Sequence, residues 1–274
     1  MKLLILGGKG MAGHVMTAYF TQKAYEVFYT SRVRKDQSSH YLDVTDFARL
    51  EEIIEMIKPD IIINCVGILN EQASYDPLLA FQVNSLLPHQ LMKLIERHQG
   101  KLIHISTDCV FSGKKGDYIE DDIPDGTSVY AQSKRLGEII SDKHLTIRTS
   151  IIGPELKEDG IGLFLWFMKQ AGEIKGYTKA LWNGVTTLEL AKATEKMIMH
   201  NITGLYHLGS DTKVSKYELL KMIQKVFEKN DVRIIPDHEV VLDRTIKSTR
   251  TDFQYLIPPY EDMLVELRDW MQRR

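Results

Sequence analysis

Tyr130-Ala131-Gln132-Ser133-Lys134 places a phenol and an ammonium four residues apart, on one face of a helix. A lysine beside a phenol stabilises the phenolate and draws the tyrosine toward working pH, so that it can give a proton to a carbonyl as hydride arrives. The spacing alone carries little, since Tyr19/Lys23 and Tyr217/Lys221 repeat it. A hydroxyl upstream selects the middle pair. Residues 101–106 read as a strand running into Ser106-Thr107-Asp108, which puts Thr107 at the C-terminal edge of a sheet, where open α/β sheets bind ligands. Thr107 is expected to hydrogen-bond a substrate carbonyl, with Asp108 and Cys109 next to it in a substrate loop.

A second constellation supplies a cofactor. Gly7-x-x-Gly10-x-x-Gly13, with Met11 and Ala12 between the last two glycines, lies between an apolar strand and a helix. That context gives a tight turn, a close backbone approach and free helical N–H groups for a diphosphate. The loop lacks the Gly-Lys-Ser/Thr of a P-loop, so a dinucleotide is expected rather than ATP. The second strand ends in Tyr29-Thr30-Ser31-Arg32, followed by Arg34 and Lys35. There the acid of an NAD-selective site is replaced by hydroxyls and a cation. Ser31 and Arg32 suit a ribose 2′-phosphate, so NADP(H) is preferred, with NAD(H) open. Asp43, followed by Val44, is placed to accept from an adenine amino group.

The elements that must hold these groups alternate. Strands are expected at 2–6, 26–29, 61–63, 101–106 and 145–149. Helices are expected at 11–22, 46–57 (Asp46 as cap), 77–98 (interrupted near Pro88) and 130–141. Such alternation implies βαβ crossovers and a doubly wound, Rossmann-type parallel sheet with helices on both faces. Beyond Thr149 the pattern loosens, with helices at 160–171, 188–200, 214–229 and 262–271 and a strand at 205–208. The expected division is a cofactor-binding domain with the catalytic residues over 1–150, and a smaller α/β substrate-binding part over 151–274 interleaved with it.

The chain has 274 residues, with 35 Lys+Arg against 37 Asp+Glu and a net charge of −2. That balance argues against a nucleic-acid partner. No apolar run reaches the roughly 18 residues of a membrane span. Cys65 and Cys109 form no disulfide framework and no metal spacing. A cytoplasmic protein without metal is expected.

Taken together, these residues resemble the extended short-chain dehydrogenases/reductases, and within them the dTDP-4-dehydrorhamnose reductase (RmlD-like) family. The matching residues include the glycine loop, Leu42-Asp43-Val44-Thr45-Asp46, Pro59-Asp60-Ile61-Ile62-Ile63-Asn64 and Val83-Asn84. They continue with Ile105-Ser106-Thr107-Asp108-Cys109-Val110-Phe111-x-Gly113, Tyr130-x-x-Ser133-Lys134-x-x-Gly137-Glu138 and Arg148-Thr149-Ser150. The resemblance implies reduction of a 4-keto group on a nucleoside-diphosphate 6-deoxy sugar. It implies Tyr130 as general acid, Lys134 as its tuner and a ligand of the nicotinamide ribose, and Thr107 orienting the carbonyl. Cys65, Val66 and Gly67 would line the cofactor, and Asn84 would support the site. The second half departs from the family pattern. Ile151 stands where tryptophan is common, Leu181–Thr187 replaces Asp-Gln…Gly-x-Pro-Thr, and Arg244-Thr245-Ile246-Lys247-Ser248 replaces Arg-Pro-x-Asn-Ser. Ile151, Arg244 and Lys247 remain the substrate-side candidates, the last two for the diphosphate. Base and sugar stay open between dTDP and UDP sugars, and a homodimer stays open.

Other residues receive plain readings: His14 as a packed helix residue, His104 as a core neighbour, Trp166 and Phe167 as core or subunit contact, Cys109 as an unactivated thiol. Two other functions share the motifs. An epimerase or dehydratase would return the hydride to its substrate, and a regulatory subunit would bind NADP(H) without turnover. Asp108-Cys109 lacks the Asp-Glu pair typical of dehydratases.

Overall fold

The computed structural model describes residues 1–34 and 36–273; Lys35 of the expected basic loop lies outside the described residues. Six strands of the first half are β1 (Lys2–Leu6), β2 (Glu26–Ser31), β3 (His40–Tyr41), β4 (Ile61–Asn64), β5 (Lys101–Thr107) and β6 (Leu145–Thr149). With the later strand Gly204–Leu208 they make a seven-stranded sheet, ordered Gly204–Leu208, β6, β5, β4, β1, β2, β3. Every pairing in it is parallel. The strand order reverses between β1 and β4, and a crevice opens at the carboxyl ends there.

Side-chain alternation explains why these strands read as unbroken apolar runs. Leu3, Ile5, Ile61, Ile63, Ile103 and Ile105 face one core, while Leu4, Leu6, Ile62 and Leu102 face another. The first core is closed by α1 (Met11–Thr21) and the helices Thr187–Met199 and Tyr260–Gln272. The second is closed by α2 (Phe47–Ile57) and the helices Leu87–Glu96 and Val129–Leu136. Asp46 caps α2 as expected, accepting the Arg49 N–H at 3.0 Å. Among the described residues no helix is long and apolar enough to cross a membrane.

Several expected boundaries move. The helix at 77–98 is a turn Pro77–Ala80, a π-helical stretch Phe81–Leu86 and the helix Leu87–Glu96, preceded by a short helix Asn70–Tyr75. Pro88 falls in the first turn of its segment, where a missing N–H is tolerated. The helix at 130–141 ends at Leu136 because Gly137 forms its C-cap. The helix at 160–171 contracts to Leu163–Met168, since the Gly162 N–H is taken by the Glu155 carboxylate at 2.7 Å. Residues 214–229 divide into a strand Val214–Ser215 and a helix Lys216–Val226, started by a Ser215/Glu218 capping box. Two long strands were not anticipated. Gly172–Trp182 pairs parallel with Val232–Asp243 and antiparallel with Val214–Ser215, forming a second, three-stranded sheet.

Candidate active site

The catalytic wall starts from a cap. Ser128 accepts the Ala131 N–H at 3.1 Å and fixes the start of the helix Val129–Leu136, so Tyr130 and Lys134 lie one turn apart and face the sheet. Thr107 ends β5 opposite them. All three are buried yet line one cleft. Asn84 braces this wall from the π-helical stretch. Its amide accepts the Ile68 N–H (2.8 Å) and donates to Ile68 O (2.9 Å) and Ser133 Oγ (3.0 Å). The two helices touch through backbone: a Cβ on Gly137 would lie 1.8 Å from the Asn84 carbonyl oxygen, so only glycine fits.

Burial governs the electrostatics. It holds the Tyr130 phenol above the ordinary tyrosine range, helped by Cys109 and Asp108, while the Thr107 hydroxyl pulls the other way. Burial lowers Lys134 to about 8. Its Nζ donates to Ile105 O at 2.8 Å and lies 3.3 Å from His104 Nε2. Thr107 Oγ1 donates to Asp108 Oδ1 (3.2 Å) and accepts the Cys109 N–H (3.1 Å). Both thiols, Cys65 and Cys109, are pushed up to about 12 by burial. They stay protonated, and neither is a nucleophile. The arrangement can hold a carbonyl oxygen between two hydroxyls and give it a proton.

The cofactor side fits a dinucleotide. Gly7 has φ +76°, and a Cβ on Gly13 would stand 2.1 Å from Gly7 O, so the loop closes only without side chains. Gly10 caps α1 with no side-chain bond, which leaves first-turn N–H groups for an anion. Gly10, Met11, Ala12, Arg32, Cys65, Val66 and Gly67 line the same cleft, of about 550 Å³, as Thr107, Asp108, Cys109, Tyr130, Lys134 and Ile151. Gly7 and Gly13 shape the loop from behind. Arg32 is exposed at the end of β2, and Lys9 and the Tyr29 hydroxyl both engage Asp36, the nearby acid (3.1 and 3.0 Å). Ser31 stays in the protein, its Oγ bonded to Ser39 Oγ (2.9 Å) and accepting the Val33 N–H (3.2 Å). Arg34 lies over the Tyr41 ring at 4.8 Å instead of entering the cleft. Asp43 is exposed and accepts from the Thr45 N–H (3.0 Å) and hydroxyl (2.8 Å), while Val44 packs on the second core. Neither of these two lines the cleft.

A second wall, contributed by the second half, abuts the cleft at the Asp108–Cys109 turn, although its cations are not among the residues that line the cleft. Arg244 Nη1 approaches Cys109 Sγ at 3.6 Å, and its buried Nε has no hydrogen-bond partner among the described residues. Lys216, absent from the sequence reading, sits with its Nζ 5.4 Å from the Trp182 ring centroid and acts electrostatically on Asp108, as Arg244 does. Trp182 in turn donates to Ser150 Oγ in the cleft at 2.9 Å. The Ser215-x-x-Glu218 capping box was the available signal for Lys216, since it places that residue at the first helical position. Lys247 does not join this wall. Its N–H bonds Tyr118 O at 2.8 Å and its side chain is exposed, because residues 245–247 run along the Tyr118 strand bridge. His14 packs as expected, with Nδ1 2.9 Å from Gly10 O and its ring 6.4 Å from Trp270. Phe167 is core, and Trp166 is partly exposed.

Comparison with known proteins agrees with this geometry. Residues 1–249 match the family model described as RmlD substrate binding domain. A dTDP-4-dehydrorhamnose reductase of Aggregatibacter actinomycetemcomitans is 30% identical over 249 residues, covering 83% of this chain and 81% of the relative. The crystal structure of a hypothetical dTDP-4-dehydrorhamnose reductase from Sulfolobus tokodaii superposes with a TM-score of 0.77 at 27% identity, covering 90% of this chain and 92% of that one. That of the Bacillus anthracis dTDP-4-dehydrorhamnose reductase in complex with NADP shares the fold, with a TM-score of 0.83 at 21% identity, covering 98% and 99%. The chain therefore belongs to the RmlD-like family of extended short-chain dehydrogenases/reductases.

Proposed function

We propose that this protein is an NADPH-dependent reductase of the 4-keto group of a nucleoside-diphosphate 6-deoxy sugar, dTDP- or UDP-linked, that supplies a precursor for a surface polysaccharide or glycan. The observation that carries the reading is the convergence of Thr107, Tyr130 and Lys134 on one cleft with the open N-terminus of α1. The glycine loop would hold the cofactor diphosphate, Arg32 its 2′-phosphate, and Lys134 the nicotinamide ribose. NADPH supplies the hydride when bound. Thr107 holds the sugar carbonyl oxygen, and Tyr130 gives that oxygen its proton to complete the alcohol. Arg244 and Lys216 take the substrate diphosphate from the second wall, where both act on Asp108 electrostatically but neither forms an ion pair with a carboxylate among the described residues. A dehydratase would need a further acid beside the triad, and the position after Asp108 offers only a protonated thiol.

The cytoplasm, where nucleotide sugars are activated, is the expected compartment. A shallow apolar groove lined by Phe81, Leu86 and His89, next to exposed Leu136, supports a homodimer. The decisive experiment follows NADPH consumption against dTDP- and UDP-linked 4-keto-6-deoxy sugars made in situ. Turnover with one member names base and sugar together. Measured NADPH binding without consumption of any member would move the reading to an epimerase holding its cofactor, or to a regulatory subunit. Product analysis without added cofactor separates those two.

A further inference from the structure

The two stretches in which the chain departs from the family pattern, residues 181–187 and 244–248, meet each other in the structure, and Asn183 joins them. Asn183 is 5% exposed, and its whole amide is engaged with backbone. Its Oδ1 accepts the Ile246 N–H at 3.1 Å, while Nδ2 donates to Ile246 O at 2.7 Å and to Ser210 O at 2.8 Å. An N–H facing one end of the amide and two carbonyls facing the other fix which end is which. Toward Ile246 the side chain offers one acceptor and one donor, as a neighbouring strand would. The backbone carbonyl of Asn183 accepts the Ser210 N–H at 2.7 Å and closes the junction.

Arg244 lies two residues before Ile246. Its guanidinium forms no ion pair among the described residues, and its buried Nε has no hydrogen-bond partner among them. The backbone on either side is stitched instead. The Asp243 N–H donates to Gly113 O and the Tyr118 N–H to Thr245 O, both at 2.9 Å, and Asn183 holds Ile246. The turn that carries Asn183 is itself tied to the cleft. Trp182 donates to Ser150 Oγ at 2.9 Å, and a Cβ on Gly184 would lie 1.9 Å from Ser150 O. One buried amide thus connects a cleft-lining segment to the backbone that bears Arg244.

We infer that Asn183 is a positioning residue for substrate recognition. Its amide, standing in for a strand, places Arg244 against the Asp108–Cys109 turn, where Arg244 meets the nucleoside diphosphate. A fixed stem leaves less of a long, flexible side chain to be ordered when the anion arrives. The capture of a diphosphate rests on the proposed function, while the placement of Arg244 does not.

Side-chain ¹⁵N NMR of the arginines reads the placement without any substrate. The Arg244 Nε–H, identified by its loss in Arg244→Lys, is expected to exchange slowly with water. Asn183→Ser and Asn183→Asp are expected to speed that exchange about tenfold or more by local opening. The Arg148 Nε–H, bonded to Glu138 at 2.8 Å, is expected to keep its rate. Acceleration at both arginines marks a general loss of stability and overturns the proposal, as does acceleration at neither. Recognition is read by calorimetric titration of UDP and dTDP into the NADPH-loaded protein. Each Asn183 variant is expected to weaken binding about tenfold, as Arg244→Ala does, and to add nothing when combined with Arg244→Ala. Losses that multiply would show that Asn183 acts elsewhere. In Asn183→Asp the carboxylate faces two carbonyl oxygens and is restored as a donor when it gains a proton. Affinity relative to the unaltered protein therefore recovers on acidification in that variant and not in Asn183→Ser. A parallel pH response in the two counts against the junction. Were neither nucleotide to bind the unaltered protein, the proposed function would fall, and the exchange rates would still decide the placement.

Discussion

On the wall formed by β5 and the helix Val129–Leu136, nearly every polar group is already engaged: Thr107 with Asp108 and the Cys109 N–H, Lys134 with Ile105 O, Ser133 with Asn84. On the second wall, Arg244 and Lys216 act on Asp108 at the Asp108–Cys109 turn without forming an ion pair with it. The first wall cannot adapt without breaking bonds, which suits groups that must hold a reacting carbonyl to within tenths of an ångström. The second keeps charge in reserve, which suits recognition of an anion brought by the substrate. On the proposed function, one wall would fix the chemistry and the other would choose what undergoes it.

That contrast has measurable edges. The largest effect is expected on the committed wall, where Tyr130→Phe lowers kcat about a hundredfold or more while NADPH titration is unchanged. Near-full activity would remove Tyr130 from its role. On the reserve wall, Arg244→Ala and Lys216→Ala should each raise KM for the nucleotide sugar about tenfold, as loss of a charge-assisted contact does, with kcat held. A fall in kcat at constant KM would show that the walls do not divide labour in this way. A smaller effect, of up to about tenfold, is expected from Arg32→Asp on the ratio of NADPH to NADH preference. An unchanged ratio would mark Arg32 as solvated surface. Lys247→Ala should stay within about twofold in every constant, since an exposed, solvated cation contributes little. A KM effect rivalling that of Lys216 would redraw the second wall.

The same division separates what could be read in the sequence from what could not. Thr107, Tyr130, Lys134 and the glycine loop were legible because each is a local event: a strand end, a helical repeat, a turn that excludes side chains. The seven-stranded sheet was legible for a related reason, since strands buried on both faces read as short apolar runs. Gly172–Trp182 was hidden because its inward positions carry Gly176, Thr178 and Ala180, weak in apolar signal, while its outward face carries Tyr177. Val232–Asp243 was hidden by Pro236 and by a register shift between Asp237 and Val241. His104 read as a core neighbour because its partners, Asn64 and Lys134, meet it only through strand register and helix packing. Lys216 was lost inside an apolar helical pattern that begins in fact with a short strand.

The strand Gly204–Leu208 lies on the outer edge of the central sheet, pairing β6 from Leu145↔Gly204 to Thr149↔Leu208. During synthesis, β6 leaves the ribosome well before the strand that covers it. In that interval its unpaired edge is a template for any passing strand, the kind of exposure that seeds aggregation. Separating the halves at about residue 150 would make that interval permanent. A fragment ending after Thr149 should therefore precipitate or recruit chaperones, and co-expression of the missing segment should rescue it by strand addition.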